Sequence, residues 1–72
     1  MTFQIRFYDV RKNEFRPSQP IREFSKESVE KALERTEHNH GKIVRRTDTG
    51  LPRFELRNEK GVVVQEAFPK KA

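Results

Sequence analysis

RFELRNEKGVVVQEAF, residues Arg53 to Phe68, alternates apolar and polar positions on both sides of the tetrapeptide Asn58-Glu59-Lys60-Gly61. That pattern predicts a β-hairpin. Asn58 suits the first place of a type I turn because its side chain can bond back to the backbone, and Gly61 suits the left-handed residue of a G1 bulge. With Asn58 opposite Val62, antiparallel pairing sets Leu56 against Val64, Phe54 against Glu66 and Pro52 against Phe68. Phe54, Leu56, Val62, Val64 and Phe68 then share an inner face, and Arg53, Glu55, Arg57, Val63 and Gln65 an outer one. A two-stranded hairpin is marginal alone in water, so the upstream chain must supply its packing.

Working outward, Lys42 to Arg46 reads as a strand leading into the turn Thr47-Asp48-Thr49-Gly50, with Thr47 opposite Leu51 and Val44 opposite Phe54. A slip by one would exchange Ile43 and Val44. Ser25 is an N-cap, and Glu27 favours the positive start of the helix that follows. Val29, Ala32, Leu33 and Thr36 form its inner stripe, and Gly41 stops it after His38 to His40. Thr2 to Tyr8 alternates with Phe3, Ile5 and Phe7 on one side, which predicts a strand able to join either edge of the later meander. Between them, 9–22 with Pro17 and Pro20 reads as an irregular arm in which Phe15 can return briefly as an edge strand.

The expected architecture is therefore α+β in two layers, one helix on a small antiparallel sheet, in the order β, arm, α, β, β, β. Residues 1–68 form one domain, and 69–72 a flexible basic tail. At 72 residues the chain buries only about 60% of its unfolded surface, so its stability margin is small. Hydrophobic residues at 32% are few, but the six Phe lie in patterned segments, which argues for a folded core.

The absence of cysteine excludes a disulfide framework and thiolate metal sites, and fits the cytoplasm. No stretch approaches the apolar length a membrane span requires. The net charge of +5 is uneven: 41–72 carries eight Lys and Arg against four Asp and Glu, whereas 25–40 is slightly acidic. The positive excess belongs to the sheet and tail.

In this register Arg45 stands opposite Arg53, with Arg57 four residues along the same strand and on the same face. Like charges opposed across a sheet call for an intervening anion or carboxylate, and a guanidinium matches phosphate oxygens. Arg45, Arg53 and Arg57, with Lys42, Arg46, Lys70 and Lys71 adding diffuse charge, make up the expected anion-binding set. Single-strand binders add aromatic platforms, and only Tyr8 and Phe15 are candidates for exposed rings.

Catalysis finds little support. His38 and His40 diverge by about 200° on a helix, which suits imidazoles at a helix C-terminus better than a metal pair. Ser18, Ser25 and Ser28 lack a base at readable spacing, and the glycines at 41, 50 and 61 already have turn roles. The functional expectation is a non-catalytic module without cofactor whose basic sheet face engages nucleic acid backbone. The alternative is a small regulator or inhibitor docking on another protein by that face or by an edge strand, as a monomer or a weak homodimer through a sheet edge.

Overall fold

Strand β1, Phe3–Asp9, places Ile5, Phe7 and Asp9 inward and Gln4, Arg6 and Tyr8 outward, as its period of two requires. The computed structural model describes residues 2–65. It sets β1 at the centre of an antiparallel sheet. On one flank lies β4, Phe54–Arg57, in the register Gln4↔Arg57 to Phe7↔Phe54. On the other lie β2, Glu14–Phe15, and β3, Gln19–Ile21, which pair with opposite ends of β1. Strand β5, Val63–Gln65, completes the order β2-β1-β4-β5.

The arm is thus more ordered than its prolines suggest. Phe15 does return beside Tyr8, and β3 resumes after a one-residue register shift at Arg16-Pro17-Ser18. The Arg16 N–H donates to the Phe7 carbonyl at 2.7 Å within that break. Pro20, opposite Gln4, lies in an edge strand, where its missing donor is tolerated.

Helix α1, Lys26–His40, follows local rules throughout. Ser25 is extended and its Oγ accepts from the Ser28 N–H at 3.1 Å, while Gly41, at φ 89°, donates its N–H to the Glu37 carbonyl. The expected stripe of Val29, Ala32, Leu33 and Thr36 is buried. The helix lies across β1 and β3, giving the two-layer α+β fold. Gln19 ties the layers together, donating to the Ala32 carbonyl at 3.0 Å and to Thr36 Oγ1 while accepting from Arg35. Ile5, Phe7, Leu33, Phe54 and Leu56 form the centre of the core.

Two expectations need correcting. Lys42 to Arg46 forms no strand, because β1 holds the place beside β4 that those residues were expected to fill. Ile5 and Phe7 offer that site two large apolar side chains, whereas 42–46 has only Ile43 and Val44 adjacent in sequence and so on opposite faces. Ile43 enters the core and Val44 is 43% exposed, the exchange that the slipped register described. The turn before β4 opens at Arg46, whose carbonyl accepts from Gly50 and whose N–H donates to Leu51, rather than at Thr47.

The second correction concerns β5. The hairpin turn is as read: Asn58 pairs with Val62, Gly61 has φ 79°, and Asn58 Oδ1 accepts from the Lys60 and Val62 N–H groups. Arg57 pairs with Val63, but Leu56 then pairs with Gln65 instead of Val64, so a bulge intervenes. Val62 and Val64, expected inside, are 55% and 46% exposed. The helix does not reach over β5, and no other described element covers those valines. Phe68 and the tail lie outside the described residues.

Candidate anion-binding face

The outer face of the sheet collects side chains that are far apart in sequence. Cross-strand partners project to the same side, so Gln4 and Arg6 of β1 stand beside Arg57 and Glu55 of β4, Tyr8 stands beside Arg53, which immediately precedes β4 and whose carbonyl accepts from the Tyr8 N–H, and Phe15 of β2 stands beside Tyr8. Three guanidinium groups and two aromatic rings therefore share one surface. α1 packs on the opposite side, where Ile5, Phe7, Phe54 and Leu56 point.

Glu55 is the one acid among these strand positions. Its Oε1 accepts from Arg57 Nε at 2.7 Å and from Arg6 Nε at 3.0 Å, and the Arg6 NH2 is within 2.9 Å. Partial burial pushes the Glu55 carboxyl up, but the bonds and charges of Arg57 and Arg6 outweigh it and hold the group below its usual range. One carboxylate thus serves two arginines. Arg57 also donates to the Gly61 carbonyl at 2.7 Å, which ties the strand to its own turn.

Arg53 is exposed and has no carboxylate partner among the described residues. Its guanidinium stands over the Tyr8 ring, 5.8 Å from the centroid. Arg6 sits closer over Phe15, at 4.1 Å, and the Tyr8 and Phe15 rings meet edge to face at 5.1 Å. Both rings are half-buried. The Tyr8 hydroxyl donates to Asn13 Oδ1 and so joins the aromatic pair to the β1–β2 loop. Arg11 and Lys12 are exposed in that loop, which Asp9 Oδ1 shapes by accepting from both of their N–H groups.

At the other end, by Arg57, the face dips into a concavity of about 440 Å³ bordered by Thr2, Gln4, Arg6, Glu55 and Asn58. Its donors are already turned toward Glu55, so an anion there would share Arg6 and Arg57 with a carboxylate.

The expected set divides. Arg53 and Arg57 lie on the outer face as read. Arg45 does not oppose Arg53, since its segment is not in the sheet; it pairs with Glu37 at 2.8 Å near the end of α1. Burial raises the Glu37 carboxyl, and the Ile43 N–H together with Arg45 and Lys42 bring it below its ordinary value. Arg46 makes a two-point bond to Asp48, at 3.0 and 2.6 Å, and that contact, working against slight desolvation, lowers the Asp48 carboxyl. Lys42 is exposed beside Glu37, and Lys70 and Lys71 fall outside the described residues. Arg6 was missed, although its place in the alternation of residues 2–8 already put it on the side of Tyr8.

His38 and His40 are exposed in the last turn of α1, which places them on diverging directions. Among the described residues no group of three or more His, Cys, Asp or Glu is placed to hold a metal, and no helix is long and apolar enough to cross a membrane. No protein-family model, curated protein or solved structure matches the chain at a significant level.

Proposed function

We propose that this chain is a non-catalytic binding module whose outer sheet face engages nucleic acid backbone. The observation that carries the reading is the imbalance of that face: Arg6 and Arg57 share one carboxylate, Glu55, with Glu59 at the rim of the same concavity, while Arg53 has no carboxylate partner among the described residues and Arg11 and Lys12 stand at the adjoining loop. A basic surface of this kind attracts polyanions by releasing their counterions, with little preference for sequence. The two rings among the arginines give the surface apolar contact area that phosphate binding alone does not require.

Titration with labelled single- and double-stranded DNA and RNA at low and moderate salt tests this. The expected outcome is binding that weakens steeply with ionic strength. Failure to bind any of the four at low salt would overturn it.

A second reading rests on a different observation. Val62, just before β5, and Val64 within it are exposed at the last strand of the described sheet path, and Val64 lines an apolar groove with Phe3 and Phe24. A partner protein could add a strand there, as edge strands permit. Capture of one specific protein from nuclease-treated lysate, lost on Val64→Lys, would favour this reading over the first.

A further inference from the structure

The Tyr8–Arg53 pair differs from its neighbour in a way that bears on what kind of nucleic acid the face accepts. Arg6 closes down on Phe15 at 4.1 Å, whereas Arg53 stands 5.8 Å from the Tyr8 centroid, at the outer limit of about 6 Å for a cation–π contact. Nucleobases stack at about 3.4 Å per layer, so a base between ring and guanidinium needs about 6.8 Å. Arg53 would have to yield by about 1 Å. No acid among the described residues holds it back, and it is exposed. Tyr8, in contrast, is fixed: the edge of the Phe15 contact sets its plane, and its hydroxyl is bonded to Asn13.

The geometry points to a base-stacking site between Tyr8 and Arg53 that takes an unpaired base of a single-stranded nucleic acid. This rests on the nucleic-acid reading and narrows it. Only an unpaired base can present a free π-face to the ring; a duplex keeps its bases stacked on one another and offers the surface phosphates alone. Arg11 and Lys12 on the loop that Tyr8 borders, with Arg6 along β1, are placed to meet the phosphates on either side of such a base.

Tyr8 is the sole tyrosine, and the chain has no tryptophan, so intrinsic fluorescence reports on this ring alone. The full chain is titrated with a homopolymeric single strand of about ten nucleotides, as DNA and as RNA, and with a blunt-ended, loop-free duplex of similar charge. Saturable quenching of Tyr8 by the single strands, and far less by the bound duplex, is expected. Tyr8→Leu should lower single-strand affinity by about five- to a hundredfold without changing the salt slope, and Tyr8→Phe should retain it. Single-strand binding without quenching overturns the stacking site and leaves the charge-based reading standing. Equal affinity of Tyr8→Leu and wild type does the same. If no oligonucleotide binds the wild-type chain at low salt, the underlying reading itself is lost.

Discussion

Asp9 and Arg16 illustrate how one pair of side chains organises a part of the chain that looks unstructured in sequence. Asp9 is 2% and Arg16 8% exposed, with Arg16 NH2 bonded to Asp9 Oδ2 at 2.6 Å. The same carboxylate holds the Arg11 and Lys12 N–H groups, so it serves the loop and the ion pair together. Arg16 Nε is buried without a partner among the described residues, so the pair already carries an uncompensated polar group. Removing one member of a buried pair strands the other charge, which costs about 3–5 kcal/mol. That is a large share of the roughly 5–15 kcal/mol that holds a domain folded. Asp9→Ala should therefore lower the stability measured by urea denaturation by about this amount, and a loss below about 1 kcal/mol would contradict the burial. Local signals at this scale were legible: Ser25, Gly41 and the Asn58 to Gly61 turn all act on backbone within four residues. The Asp9–Arg16 pair was not, because nothing in the composition of a Pro-containing stretch says that its charges turn inward.

Strand β1 and the Lys42–Arg46 segment show what decides between two candidate elements for one place in a sheet. Both offer apolar residues, but only β1 puts two large ones on the same face, so it covers Phe54 and Leu56 more completely. Alternation made β1 a strand candidate and the β-branched pair Ile43-Val44 before a turn made 42–46 another, and pattern alone has no means of ranking rival partners for the same strand. Glu37 then fixes the excluded segment by accepting from the Ile43 N–H at 3.0 Å and from Arg45, a use of the helix end that the sequence pattern does not encode. Ile43→Ala should cost about 2–5 kcal/mol, as truncation of a buried aliphatic does, while Val44→Ser should change stability by less than about 0.5 kcal/mol. Equal losses at both positions would indicate that 42–46 is a paired strand after all. The bulge at Leu56 and Arg57 belongs to the same scale. The hairpin turn correctly predicted the first cross-strand pair, but the valines beyond it had no helix above them to enforce an inward face.

Over the whole molecule, the acids that matter are those gathered by arginines. Glu37, Glu55 and Asp48 all have carboxyls below their ordinary values in the folded chain. A depressed folded-state pKa contributes stability that is fully present above the unfolded value, about 4, and is lost as pH falls through the lowered one. The urea midpoint should thus hold steady from pH 7 to about 5 and fall on further acidification; a midpoint unchanged at pH 3 would contradict the assignments. Acidification also releases Arg6 and Arg57 from Glu55, so anion affinity should not decline in parallel with stability. The outer face as a whole was half legible. Arg53 and Arg57 followed from the hairpin alternation, whereas Arg6 became part of the site only once β1 was known to lie beside β4, and Arg45 left it for the same reason. The most direct test of the charged face is the dependence of single-strand binding on salt, measured for the wild type and for Arg53→Gln. The five cations of the face and its loop, Arg6, Arg11, Lys12, Arg53 and Arg57, predict a log–log slope of about −3.5, reduced by about 0.7 in the variant. An identical slope in the two proteins, or binding indifferent to salt, would contradict the account.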